Sequence, residues 1–206
     1  FEGEMIKILA ILYLILNPGW SITFNEINEI KNWELLKDDI VKIQCADFNG
    51  YPISKAEMIF NHNIDLISLK IEDIENYPNI FERVTTTKRL DKDIIQVVLD
   101  LPFPFSGRDY VIKHRKEISE RNDLWVFTFD SILHPKARLE RGHVRLPNAT
   151  GIWILRPISP SITKVTYAWN GELLGNFPDA GLQRAWITQG TEVLLWLEKS
   201  LKNVNE

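Results

Sequence analysis

One cysteine in 206 residues, Cys45, leaves this chain without an internal disulfide and without a thiolate metal site. Neither sign of charge dominates. Lys and Arg number 24 against 28 Asp and Glu, a formal net charge of −4, so no whole-molecule field favours nucleic acid. The longest apolar run, the nine residues from Ile8 to Leu16, falls short of the roughly 20 that a transmembrane helix needs. A Gly-x-Ser-x-Gly elbow, a phosphate-cradling glycine loop and a His-Glu-x-x-His helix are all missing. The histidines, at 62, 114, 134 and 143, lie in separate segments without metal-ligand spacing, so no cofactor or metal is expected. Asp130 and His134, four apart near a strand end, are weak grounds for acid–base work. Asn148-Ala149-Thr150 matches a glycosylation acceptor, a pattern short enough to occur by chance.

What the chain has in quantity is aromatic carbon: seven Trp, ten Phe and five Tyr. Apolar residues make up 45% and charged residues 25%, the balance of a globular domain with a real core. Aromatic-rich interiors also suit apolar ligands.

The first 21 residues read apart from the rest. Met5-Ile6-Lys7 leads into "ILAILYLIL", then Asn17-Pro18 and the small-x-small triplet Gly19-Trp20-Ser21. That order suits a secretory signal cleaved after Ser21, with Phe1 to Glu4 as upstream or expression-derived residues. The alternative is a buried N-terminal apolar helix. Cleavage would make the protein periplasmic or secreted; without it, cytoplasmic. Residues 22–206 form one domain without linker, repeat or low-complexity segment.

Within that domain, Ile22, Phe24, Ile27, Ile30 and Trp33 have helix-like spacing. A strand is expected at 39–47, then Asn49-Gly50 as a hairpin turn and a partner strand at 54–60. Residues 63–77 and 78–82 suit two short helices. Six extended stretches follow, at 82–90, 94–101, 109–118, 124–132, 151–158 and 163–171. A last helix from Pro178 to Lys202 closes the chain. One long helix covering one face of a long antiparallel sheet is an α+β packing. Leu182, Trp186, Val193, Leu197 and Leu201 form the helix's apolar stripe, interrupted by Thr188, Gln189 and Gly190. That gap fits either a cavity under the helix or a bulky strand residue opposite it.

Three motifs carry a family resemblance. "LPFPFSGRDYV" at 101–111 resembles the proline-containing turn and Arg-Asp-aromatic-Val strand of START lipid-transfer domains. "RGHVR" at 141–145, followed by "GIWILRPI", resembles their basic-Gly-x-x-Arg strand entrance, and "GELLGNFPDAGLQRAW" at 171–186 their approach to the C-terminal helix. The resemblance implies a helix-grip fold: a curved antiparallel sheet wrapped around a long C-terminal helix, with an internal apolar cavity. It implies a lipid or other hydrophobic ligand as partner, no nucleic acid, and transient contact with a membrane surface.

Alternation puts Arg108, Tyr110, Ile112 and His114 on one face of their strand and Asp109, Val111, Lys113 and Arg115 on the other. Relatives carry a cavity-facing basic residue about six positions after the motif arginine, so the resemblance places the His114 face inward. His114 then either meets a ligand oxygen or is satisfied by protein groups. Arg108 and Asp109 read as pairing or capping groups. The expected ligand-binding residues are His114, Tyr110, Ile112, Val97, Leu99, Phe127, Trp153, Tyr167, Leu182, Trp186 and Gln189, with Phe129, Leu155 and Trp169 on the same inner wall. The basic run of Lys136, Arg138, Arg141 and Arg145 is either a solvated turn or a rim for anionic head groups. Two functions follow: non-catalytic binding, with transfer, of a hydrophobic ligand, or a polyketide cyclase/aromatase on the same superfold. A cyclase needs an acid and a base around its substrate, whereas a binder needs only one or two polar contacts.

Overall fold

The computed structural model describes residues 22–202 apart from 49, 122, 171–172 and 175–180, so the apolar N-terminal run and the start of the last helix near Pro178 lie outside the described residues. Thr23 opens helix α1 (Phe24–Glu29) with a capping box: its hydroxyl accepts from the Glu26 amide, and Glu26 reaches back to the Thr23 amide at 2.7 Å. The helix-like spacing continues to Trp33, but the helix stops at Glu29 and Glu34–Lys37 is strand β1. Ile22, Ile27, Ile30 and Trp33 instead press on the outer face of the sheet, against Ile53, Val126, Ile152 and Ala168. Burial there overrides the local helical preference.

β2 (Lys42–Phe48) and β3 (Tyr51–Phe60) pair with Phe48 opposite Tyr51, so the turn lies at 49–50 as the Asn-Gly pair requires. Gly50 has φ +81°, a conformation that favours glycine. Asn63 caps α2 (Ile64–Glu72), whose Ile64, Ile67 and Ile71 are buried, and a short turn leads to α3 (Tyr77–Ile80) with Pro78 in its first turn. Then come β4 (Val84–Asp91), β5 (Ile94–Leu99), β6 (Gly107–Ile118), β7 (Trp125–Ser131), β8 (His143–Arg145), β9 (Thr150–Ser159), β10 (Ile162–Asn170) and α4 (Leu182–Lys202). The strands form one open sheet in the order β1-β2-β3-β10-β9-β7-β6-β5-β4, with short β8 parallel to the start of β6. Every other pairing is antiparallel.

Helix α4, about 32 Å long at 1.5 Å per residue, lies along one half of the inner face. Trp186, Gly190, Leu194, Leu197 and Leu201 are its buried stripe. A Cβ at Gly190 would stand 2.7 Å from Ile43 Cδ1 and 3.1 Å from the Ala56 Cβ, so helix and sheet touch closely over β2 and β3. Gly190 thus does not open a gap; it closes one. The curved sheet carries β5 and β6 away from that contact, and the space left beneath them is the cavity.

Candidate ligand-binding cavity

The cavity has a volume of about 590 Å³ and lies between the inner faces of β5, β6, β7, β9 and β10, with α3 and α4 on the other side. Val97 and Leu99 reach it from β5, and Arg108, Tyr110, Ile112 and His114 reach it from β6. Phe129, Trp153, Tyr167 and Trp169 form its aromatic wall, and Thr188, Gln189, Glu192, Val193 and Trp196 line it from α4. Loop residues Leu101, Pro102, Phe105, Leu146 and Leu174 border it at the end near the start of α4. It falls within the size range of sites that enclose small apolar molecules.

Pleating gives the wall its sequence logic, because alternate residues of each strand share a face. Gly151 has a different task. A Cβ there would lie 2.2 Å from Phe129 Cζ, so glycine lets the Phe129 ring settle onto the sheet. Tyr167 lies between Trp153 and Trp169, ring centroids 4.3 Å and 4.8 Å away, which stiffens that side of the lumen.

The polar groups on this wall differ in how they are held. The Arg108 side chain is buried and donates to the carbonyls of Ser106, Gly107, Leu173 and Leu174, the last at 2.8 Å. It straps the turn before β6 to the segment before α4, and burial holds its pKa below the usual arginine value. Arg83 and Glu192 form a two-pronged ion pair at 2.6 Å and 2.7 Å between the entrance of β4 and the middle of α4. His114 stacks near Phe127, and its Nε2 has no hydrogen-bond partner among the described residues. Burial lowers its pKa, against the raising influence of Glu72 and Asp93. The same ring borders a second, polar crevice with Glu72, Arg89 and Lys116, so it is a partition between apolar lumen and solvated rim.

No family model matches the chain. An uncharacterised protein of Pseudomonas aeruginosa is 25% identical over 156 residues, 72% of this chain and 76% of its own. Among solved structures, a STAR-related lipid transfer protein from Xanthomonas axonopodis superposes with TM-score 0.73 at 20% identity, covering 84% of this chain and 99% of that one. Human STARD10 gives TM-score 0.73 at 16% identity over 86% of this chain and 76% of its own. The fold is the START fold. The Zhui aromatase/cyclase from a Streptomyces species is similar to it at TM-score 0.51 and 10% identity, over 75% of this chain and 95% of its own.

On this START fold, eight of the expected residues stand in the cavity wall: His114, Tyr110, Ile112, Val97, Leu99, Trp153, Tyr167 and Gln189. Three do not. Phe127 is fully buried in the main core, one row along β7 from the lumen, where Phe129 takes the wall position. Trp186 belongs to the buried stripe of α4 that packs on the sheet, and Leu182 packs against the same core. The reason is helical phase: the residues of α4 that touch the sheet and those that line the cavity lie on adjacent faces, and the apolar stripe marks only the first. Leu155 is likewise core and not lining. Val193, expected in the apolar stripe of the helix, lines the cavity instead; Arg83, Glu192 and Trp196 went unread because their partners come from distant elements, and the phase of Gln189 was the one signal that could have found Trp196.

Other expectations resolve locally. Asp109 is fully buried on the opposite sheet face, ion-paired with Arg145 and bonded by Gln96, whose amide also reaches the Arg138 carbonyl at 2.7 Å. The basic run therefore folds over the outer face of β5 and β6; none of Lys136, Arg138, Arg141 and Arg145 lines the cavity. Asp130 bonds Arg115 and Thr150 rather than His134, and the Thr150 hydroxyl also accepts from the Ile22 amide at 3.2 Å. Thr150 is buried as well. Among the described residues no group of three or more His, Cys, Asp or Glu is placed to hold a metal, and no helix is long and apolar enough to cross a membrane.

Proposed function

We propose that the protein binds one lipid or other hydrophobic molecule in this cavity, without chemistry, and hands it on to another site. The observation that carries the reading is the apolar lumen itself, walled by Val97, Leu99, Ile112, Phe129, Trp153 and Val193. Burying hydrocarbon is worth roughly 25 cal/mol per Å², enough to hold a ligand with few polar contacts. Three of the wall's charged groups are already held by the protein, which supports binding over catalysis. Arg83 and Glu192 neutralise each other, and Arg108 is held by four carbonyls. His114 stands without a neighbouring acid in hydrogen-bond reach among the described residues.

Membrane contact, in this reading, falls to the loop at 100–106 rather than to the basic run. Its Leu101, Pro102 and Phe105 border the cavity, and Phe103 is 97% exposed beside them. Native mass spectrometry of protein purified from its own host, followed by extraction, tests the function. A stoichiometric lipid supports it and names the class. A protein that is empty and takes up neither fatty acid, sterol nor phospholipid overturns it and puts the cyclase reading first.

A further inference from the structure

Two phenols in the lumen are dressed for a partner that the protein does not supply. Tyr110 on β6 and Tyr167 on β10 both line the cavity, and neither hydroxyl has a hydrogen-bond partner among the described residues. Tyr77, which faces them from α3, is different: its hydroxyl donates to the Ile71 carbonyl at 2.7 Å. The Trp169 indole, stacked on Tyr167, adds a third open donor, since its Nε1 is buried and unpartnered.

A phenol that a ligand covers without offering it a hydrogen bond is destabilising, whereas phenylalanine fills the same space without that cost. This wall accepts phenylalanine readily, as Phe81 and Phe129 show. Burial pushes the Tyr110 phenol up to about 12 and raises Tyr167 well above its ordinary value, so both phenols stay protonated. Along β6 the position is intermediate, with Arg108 toward one end of the lumen and Ile112 and His114 toward the other. Arg108, next along the same face of β6, is already held by backbone carbonyls, so the place offers hydrogen bonds rather than charge.

We propose that the Tyr110 and Tyr167 hydroxyls are recognition points for neutral oxygen, hydroxyl or carbonyl, carried part-way along an otherwise apolar ligand. The inference rests on the cavity being a ligand site and narrows its occupant from any hydrocarbon to an oxygenated one. Plain acyl chains would leave both phenols unsatisfied.

The test uses a matched pair of fluorescent probes that differ by one hydroxyl, pyrene and 1-hydroxypyrene, titrated into the wild-type protein and the variants Tyr110→Phe, Tyr167→Phe and their combination. Wild type should prefer 1-hydroxypyrene by about tenfold, the range of a net neutral hydrogen bond or two. The double variant should lose that preference while keeping its affinity for pyrene, which also shows that its cavity is intact. Equal affinity of wild type for both probes, or a preference that survives in the double variant, overturns the recognition points and leaves hydrophobic binding standing. Binding of neither probe to wild type overturns the ligand site and this inference with it.

Discussion

Arg108 and Asp109 are neighbours in sequence that never meet. Alternation sends the first to the inner face, where it straps carbonyls on both sides of the cavity mouth, and the second to the outer face, where it binds Arg145. The Arg-Asp pair was legible as structural, but its two separate partners were not, because they come from residues 145 and 173–174. His114 is the residue whose role is open to a direct solution test. Its imidazole is held below the ordinary value of 6.5, first by burial, with Arg89 and Arg115 adding to the effect. The unfolded chain therefore takes up a proton here before the folded one does. Stability from this site is complete above about pH 6.5 and drains as pH falls through that value toward the lowered folded one. Glu57 and Glu72, held below their ordinary 4.5 by Lys164 and Lys116 despite burial, act in a lower window. In His114→Leu, urea denaturation between about pH 7.5 and 5 should show a flatter slope of stability against pH than wild type. An identical slope would assign that window to another group.

At the scale of elements, α4 does two jobs on two faces. Its buried stripe fixes it to β2 and β3 through the close approach at Gly190, while Thr188, Gln189, Glu192, Val193 and Trp196 roof the cavity. On the roof side the Arg83–Glu192 pair is the strong polar tie to the sheet's other half, its two side chains 29% and 27% exposed. The more peripheral Lys199–Glu82 pair, 3.3 Å apart and well exposed, adds little. Hydrogen bonds to charged groups are worth about 1.5–3 kcal/mol net, so Glu192→Gln should loosen the roof more than the fold. We expect a bound fluorescent fatty acid to leave this variant severalfold faster, read by stopped-flow displacement, with the thermal midpoint little changed. Unaltered release would place the exit elsewhere, at the mouth beside Phe103.

The whole molecule is a sheet covered unequally. The N-terminal segment presses on its outer face through Ile22, Ile27 and Ile30, α2 and α4 cover half of the inner face, and the remaining half is left over a void. Such a void forgoes the packing contacts that a filled core would make. A molecule that fills it should stabilise the fold by simple linkage, about 2.7 kcal/mol when free ligand stands at 100 times its Kd. That would appear as a rise in thermal midpoint that grows with the logarithm of ligand concentration. A midpoint indifferent to every apolar ligand that binds would show that these ligands bind the unfolded chain as well as the folded one, and not a site that folding creates.

Sequence alone determined the elements that depend on near neighbours. Stretches rich in β-branched and aromatic residues marked the long strands, Asn49-Gly50 the hairpin, and a three- and four-residue rhythm the last helix, and together they pointed to the α+β class. Alternation along β6, with the family resemblance to orient it, also set Tyr110, Ile112 and His114 on one inner face. Short elements escaped it, since β1 and β8 are four and three residues long and carry too little pattern to register. So did the division of the inner face into core and cavity. Phe127 and Phe129 have the same chemistry and the same parity, yet one is sealed beneath the helix and the other bounds the lumen. Only the curvature of the sheet and the seat of α4 on Gly190 separate them. Those are properties of how distant segments meet, and no local pattern encodes them.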